Sequence, residues 1–204
     1  FRRDPLSGYC SRVSTERAGR MKQAQGISVD AGEMLSSTGE GCFFCAGNLE
    51  KSTPKFMPGL LPGDADGRIS VGQCRIFPNL YPFVEHHAVG TLTERHFLDL
   101  DEFEPSMLGD NLNAVKDYLG AVHRLDVAAR YPIWIWNHLP SSGASIVHPH
   151  VQIGLEHEPM PELERLFNKS ECYMSDSGKN FWMEFIDVER EKGERFIGEN
   201  ASVA

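Results

Sequence analysis

The sequence predicts an α+β fold with a mostly antiparallel sheet and flanking helices. Three observations carry this. Short apolar runs with strand-like alternation recur along the chain. Two longer stretches have helical periodicity. The two kinds of run do not alternate regularly, as they would in a parallel βαβ sheet.

Arg75-Ile76-Phe77 reads as a strand leading into a turn at Pro78-Asn79. Ala88 to Leu92 alternates as a strand, Ile133 to Trp136 is a strong β signal, and Ser145 to Leu155 reads as one longer strand. Leu108, Leu112, Val115, Leu119 and Val122 place one apolar stripe along a helix. Phe181, Trp182, Phe185, Ile186 and Val188 form a second amphipathic segment ahead of Gly193. Residues 21–41 are polar and rich in Gly and Ser, a surface loop, and residues 53–72 are irregular. Arg195 to Asn200 looks like the start of another strand. The chain opens on Phe1 instead of Met, which predicts a missing upstream piece.

The 204 residues suffice for one sizeable core, and 41% hydrophobic with 24% charged residues is ordinary for a soluble domain. A formal net charge of −9 argues against nonspecific nucleic-acid binding, which needs a basic face. It leaves room for small phosphorylated ligands, which a few placed arginines can hold. No stretch approaches the apolar length of a membrane span. Five cysteines (10, 42, 45, 74 and 172), with one close pair, read as reduced thiols of a cytoplasmic protein.

Cys42-Phe43-Phe44-Cys45 spaces two thiols so that both can reach one tetrahedral ion. The same spacing is open to a redox pair, but that motif should follow a strand and open a helix. Here polar loop precedes and Gly47 follows, which favours metal. His148 is one candidate for a further ligand. His96 is another, with His86 and His87 as competitors; His123, His138 and His157 read as ordinary residues.

The sharpest signal is His148-Pro149-His150-Val151-Gln152. On a strand, His148, His150 and Gln152 share one face, while Val147, Pro149, Val151 and Ile153 face a core. His148 can bind the metal. His150 can act as a nucleophile toward a nucleotide α-phosphorus if its other ring nitrogen donates to an acceptor such as a backbone carbonyl. Gln152 can donate to a phosphoryl oxygen. Pro149 cannot donate to a ladder, so it predicts an edge position or an interrupted ladder. Asn137 ends the preceding strand, and the small-residue turn through Gly143 to Ser145 is either a phosphate-holding loop or a simple hairpin connection.

These residues resemble the galactose-1-phosphate uridylyltransferase family of the histidine-triad superfamily. Four segments carry the resemblance, in order along nearly the whole chain. They are Arg2 to Gly8 with Glu16 to Arg20, Cys42 to Gly47, Phe77 to Pro82, and His148 to Gln152. The resemblance implies a histidine-triad-like half-barrel over residues 1–194, with 195–204 opening a second repeat. It implies a structural zinc on Cys42, Cys45, His96 and His148, and a covalent nucleotidyl intermediate on His150, with Gln152 marking a transferase. Arg17, Arg20, Asn79, Asn137, Gly143 and Ser145 would line a nucleotide-sugar site. The implied reaction is ping-pong transfer of UMP from a nucleotide-sugar to a sugar 1-phosphate, as in galactose metabolism, by a homodimer. Two alternatives stay open. One is a nucleotide-sugar or dinucleoside polyphosphate phosphorylase, the other a non-catalytic zinc-stabilised nucleotide-binding domain. The departures are Tyr9-Cys10 for a Trp region, Met21 for Pro, and Val151 for Gly, the last predicting a less accessible backbone beside the nucleophile.

Overall fold

Side-chain alternation along the strands sorts the sheet into a core face and a site face. The computed structural model describes residues 2–11, 37–60 and 66–200. Arg17, Arg20, Met21 and most of the expected 21–41 loop lie outside the described residues. Two compact units are formed, one by residues 26–158 and one by residues 1–25 with 159–204.

The 26–158 unit is built on five antiparallel strands: β3 (Ile69–Val71), β4 (Cys74–Pro78), β5 (His86–Thr91), β6 (Tyr131–Ile135) and β7 (His150–Glu156), in the order β3-β4-β5-β7-β6. This is the expected α+β architecture with an open antiparallel sheet. Ile76, Ala88, Val151, Ile153 and Leu155 turn to one face. There the helix Pro105–Leu125 packs with Ala114, Val115, Tyr118 and Val122. Phe77 and Val89 turn to the other face, where they meet Cys42, Phe44 and Leu49 of the cysteine knuckle and the short helix Ala46–Ser52. Here these helices are α1 (Ala46–Ser52) and α2 (Pro105–Leu125).

Of the five expected stripe residues of α2 only Leu112 turns to solvent, and the buried face also takes Met107, Asn111, Ala114, Tyr118 and Ala121. Leu112 is exposed, and its neighbour Asn111 is fully buried. Asn111 is satisfied there: its amide N–H group donates to Cys74 Sγ at 3.4 Å and its oxygen accepts from Trp134 Nε1 at 3.1 Å. A buried polar group with both ends paired costs little, so the helix can turn Asn111 inward. Gly90 faces it across the sheet. A Cβ at Gly90 would stand 3.0 Å from the Asn111 amide nitrogen and 3.2 Å from Ile153 Cδ1, close enough that both side chains would have to shift.

The expected Ser145–Leu155 strand begins only at His150. Pro149 cannot donate to the ladder, so β7 starts after it. β7 is a central strand, not an edge, and the ladder is interrupted next to the site. Val151 is fully buried on the core face opposite Gly90. Its side chain packs into the core on the face opposite that of His150.

α1 opens directly after Cys45. The expectation that no helix follows the knuckle is therefore corrected; among the described residues the segment leading into it is the short 3-10 turn Ser37–Gly39, not a strand. The end of α1 is tied down by the buried Arg68, only 4% exposed. Its guanidinium donates to the carbonyls of Glu50 (2.9 Å) and Thr53 (2.7 Å) and to the Thr53 hydroxyl (2.9 Å).

In the other unit, β1 (Arg2–Arg3) pairs with β2 (Cys10–Ser11), and the guanidinium of Arg165 lies 3.7 Å from the Tyr9 ring centroid. α3 (Pro161–Ser177) was not foreseen, and α4 (Phe181–Lys192) matches the second amphipathic segment. Asn180 caps α4 by accepting from the Trp182 and Met183 N–H groups. Arg195–Asn200, expected as a strand opening, form no strand; Arg195 pairs with Glu189. Among the described residues no helix is long and apolar enough to cross a membrane.

Candidate metal cluster and active-site cleft

The knuckle, the loop after β5 and the approach to β7 bring Cys42, Cys45, His96 and His148 together. One ligand atom from each lies within 4.8 Å of all the others. Cys45 Sγ stands 3.4 Å from His96 Nδ1 and 3.7 Å from His148 Nδ1. Tetrahedral zinc with ordinary bond lengths sets such S···N edges at about 3.6 Å. Both imidazoles therefore present Nδ1, and both have their other nitrogen occupied. His148 Nε2 donates to the Thr93 carbonyl at 2.8 Å, and His96 Nε2 lies 2.8 Å from Thr38 Oγ1. Such outer partners fix the tautomer and aim of a ligating imidazole. The donor set, two thiols and two imidazoles, suits zinc.

Without an ion, burial and the neighbouring Cys42 push the Cys45 thiol up to about 11. Burial pushes His148 down to about 4, so it is neutral and ready to ligate at ordinary pH. His86 and His87, the competitors of His96, do not reach the cluster. His86 turns to Asp126, and His87 turns to Gln152.

Phe44, the inner residue of the knuckle, lies between the cluster and the next histidine. Its ring centroid is 6.1 Å from His148 and 5.3 Å from His150, with both imidazoles edge-on. His150 Nδ1 donates to the main-chain oxygen of His148 at 2.8 Å. That fixes the neutral tautomer with a bare lone pair on Nε2, and burial favours the neutral ring by lowering its pKa.

His150 and Gln152 lie in a cleft of about 430 Å³, with Asn79, Ser145 and the aromatic side chains of Phe43, Phe44, Phe77 and Tyr81 along its walls. Of the remaining residues expected there, Asn137 and Gly143 sit together on the preceding loop and do not line the cleft. Gly143, at φ +97°, makes the turn that returns the chain toward Ser145.

Sequence reasoning missed His87, which orients Gln152. The Phe83 N–H donates to His87 Nδ1 (3.2 Å), so a neutral His87 carries its proton on Nε2 and donates to Gln152 Oε1 at 3.0 Å. Burial lowers its pKa and keeps it neutral. Asn79 Nδ2, 3.1 Å from the same nitrogen, is then a neighbour and not a donor, because Asn79 Oδ1 is fixed by the Tyr81 N–H at 2.8 Å. Holding the Gln152 oxygen on His87 leaves its NH₂ group for the cleft.

No family model matches the sequence. An uncharacterized protein of Archaeoglobus fulgidus is 29% identical over 199 residues, covering 97% of this chain and 56% of that protein. The chain thus spans just over half the length of this relative. Among solved structures, an ADP-glucose phosphorylase from Arabidopsis thaliana with bound ADP-glucose matches with a TM-score of 0.59 at 20% identity, over 79% of this chain and 52% of that one. A GalT-like protein from the same plant matches with a TM-score of 0.59 at 20% identity, over 79% and 53%. A uridylyltransferase mutant matches with a TM-score of 0.58 at 19% identity, also over 79% and 53%. The chain therefore has the fold of the GalT-like uridylyltransferases, as the sequence resemblance implied.

Proposed function

We propose that this chain carries the nucleotidyl-transfer site of a GalT-like enzyme, with His150 as the nucleophile. The observation that carries the reading is the tautomer of His150. Its Nδ1 proton is committed to the His148 carbonyl, and its Nε2 lone pair belongs to a neutral ring in an aromatic-walled cleft.

In this reading a nucleotide-sugar places its base against the aromatic walls and its α-phosphorus before His150 Nε2. The N–P bond forms as the bond to the bridging oxygen breaks, and sugar 1-phosphate leaves with that oxygen. Gln152, held by His87, donates to a non-bridging oxygen where charge builds up. Asn79 and Ser145, which line the cleft, would hold ribose or phosphate oxygens; Arg17 and Arg20 would add phosphate contacts, and Asn137 and Gly143 would meet the substrate only where it extends beyond the cleft toward their loop. A second phosphate acceptor then attacks the phosphorus and frees His150. UMP is the proposed group and a sugar 1-phosphate the proposed acceptor. Cys42, Cys45, His96 and His148 would hold zinc in a structural role.

A second reading makes orthophosphate the acceptor. It is favoured by the fold shared with the plant ADP-glucose phosphorylase.

The test is intact-protein mass spectrometry after incubation with UDP-glucose, UDP-galactose or ADP-glucose, with the His150→Gly variant in parallel. An acid-labile nucleotidyl adduct on the wild type alone is expected, and its mass names the base. Chase with galactose 1-phosphate or orthophosphate then separates transferase from phosphorylase. An adduct that survives in His150→Gly would move the chemistry elsewhere. No adduct with any donor, in zinc-loaded folded protein and in its full-length form, would favour the non-catalytic binding domain.

A further inference from the structure

We propose that His86, Asp126 and His157 form a second metal site, which takes a divalent transition ion on two imidazoles and a carboxylate and leaves positions open to water. The three residues come from separate places. His86 opens β5, Asp126 follows the last turn of α2, and His157 follows β7. The Nε2 atoms of His86 and His157 lie 2.8 and 2.7 Å from the same oxygen, Asp126 Oδ2. The three ligand atoms all fall within 4.8 Å of one another. The two rings meet edge to face, with centroids 6.2 Å apart at 87°, and do not stack; their Nε2 atoms converge on Asp126 Oδ2.

The carboxylate is held for this. Its other oxygen, Oδ1, accepts the Ala128 N–H at 3.2 Å, and the Asp126 N–H closes α2 on the Val122 carbonyl at 2.9 Å. Oδ2 is thus the oxygen aimed at the imidazoles. Outer hydrogen bonds of this kind orient ligating carboxylates in metal sites. An ion with N and O ligands at 2.0–2.1 Å spaces them about 3.3 Å apart, so the three groups need to open by about half an ångström, a small side-chain rotation.

The donor set is borderline in softness and suits zinc, cobalt or nickel over calcium or magnesium. Its surroundings are negative: Glu85 and Glu156 both act electrostatically on His157. Side-chain exposures of 30% for His86, 29% for Asp126 and 42% for His157 leave a path from solvent. No residue is shared with the cysteine cluster. The link to the cleft runs through one peptide unit. His86 and His87 are consecutive on β5, so one turns to this triad and the other to Gln152.

The test is cobalt titration of the full chain, stripped of metal and prepared without a polyhistidine tag, followed by absorption and by bound-metal analysis. Wild type should take two equivalents, one with thiolate-to-cobalt charge-transfer bands and one without. His157→Gln and Asp126→Asn, each confirmed folded by circular dichroism, should lose the band-free equivalent and keep the thiolate bands. Wild type saturating at the thiolate-banded equivalent alone would overturn the proposal. So would variants that bind as much cobalt as wild type, since the triad would then be a hydrogen-bonded cluster only. Loss of the thiolate bands with the second equivalent retained would count against the zinc cluster and leave this site standing.

Discussion

The main-chain oxygen of His148 accepts the Nδ1 proton of His150 at 2.8 Å, while the side chain of His148 belongs to the cysteine cluster. One residue therefore faces the proposed metal ligands with its ring and the proposed nucleophile with its backbone. Whatever holds the ring also holds the carbonyl that sets the tautomer next door.

Cys42→Ser should consequently act in two places. Bound zinc should be lost and the melting temperature should fall sharply, because structural zinc contributes directly to folding free energy. The rate of adduct formation at His150 should fall as well, though Cys42 is not expected to contact substrate. Unchanged zinc content in the variant would remove Cys42 from the cluster.

Metal uptake should release protons. In the metal-free protein the Cys45 thiol, pushed up to about 11, is protonated at neutral pH and must lose its proton to ligate. His148, pushed down to about 4, has none to lose. Affinity should therefore weaken as pH falls, by about tenfold per unit for each thiol proton displaced. Calorimetric titration in two buffers of different ionisation heat reads this directly. A heat that does not depend on the buffer would contradict it.

His87→Leu should uncouple Gln152. Gln152→Leu removes the donor itself, and loss of one such donor costs about a hundredfold or more in rate. His87→Leu leaves the amide present but free to rotate, so the adduct rate should fall roughly tenfold, less than for Gln152→Leu. Donor affinity should change little, and His87→Asn, which can still donate, should recover part of the rate. An equal loss in His87→Asn and His87→Leu would point to packing alone.

Arg68→Met should destabilise the chain by about 3 kcal/mol, because the buried carbonyl and hydroxyl of Thr53 and the part-buried carbonyl of Glu50 lose a charged donor. Arg68→Lys should recover little, since one ammonium cannot match the spread of a guanidinium over the Glu50 and Thr53 oxygens. Urea unfolding measures both; a shift under about 0.5 kcal/mol in the Met variant would mean that water replaces the guanidinium.

Where the sequence was informative, it was so through local periodicity. The β4, β5 and β6 runs, much of the α2 stripe and the shared face of His150 and Gln152 follow from spacing along one element, whereas His148 precedes β7. What it hid depended on partners distant in the chain. Asn111 replaced Leu112 in the core because Cys74 and Trp134 wait for its two ends. His87 read as a spare metal ligand because its bond to Gln152 spans 65 residues. α3 was legible in principle, since Leu163, Leu166, Phe167, Tyr173 and Met174 recur at helical spacing, although none of its residues is fully buried. The β7 run read from Ser145 starts only at His150, where the ladder interruption expected at Pro149 ends.

The alternation along β7 has a further consequence. Val151, Ile153 and Leu155 anchor the strand from behind, and none of them takes part in what happens in front. The identity of the front-facing groups is thus uncoupled from the position of the backbone that presents them. In the proposed reaction, a change at position 152 would alter the chemistry offered to a phosphoryl group without asking the hydrophobic interior to rearrange, which would make this strand a frame on which reaction type can diverge one residue at a time.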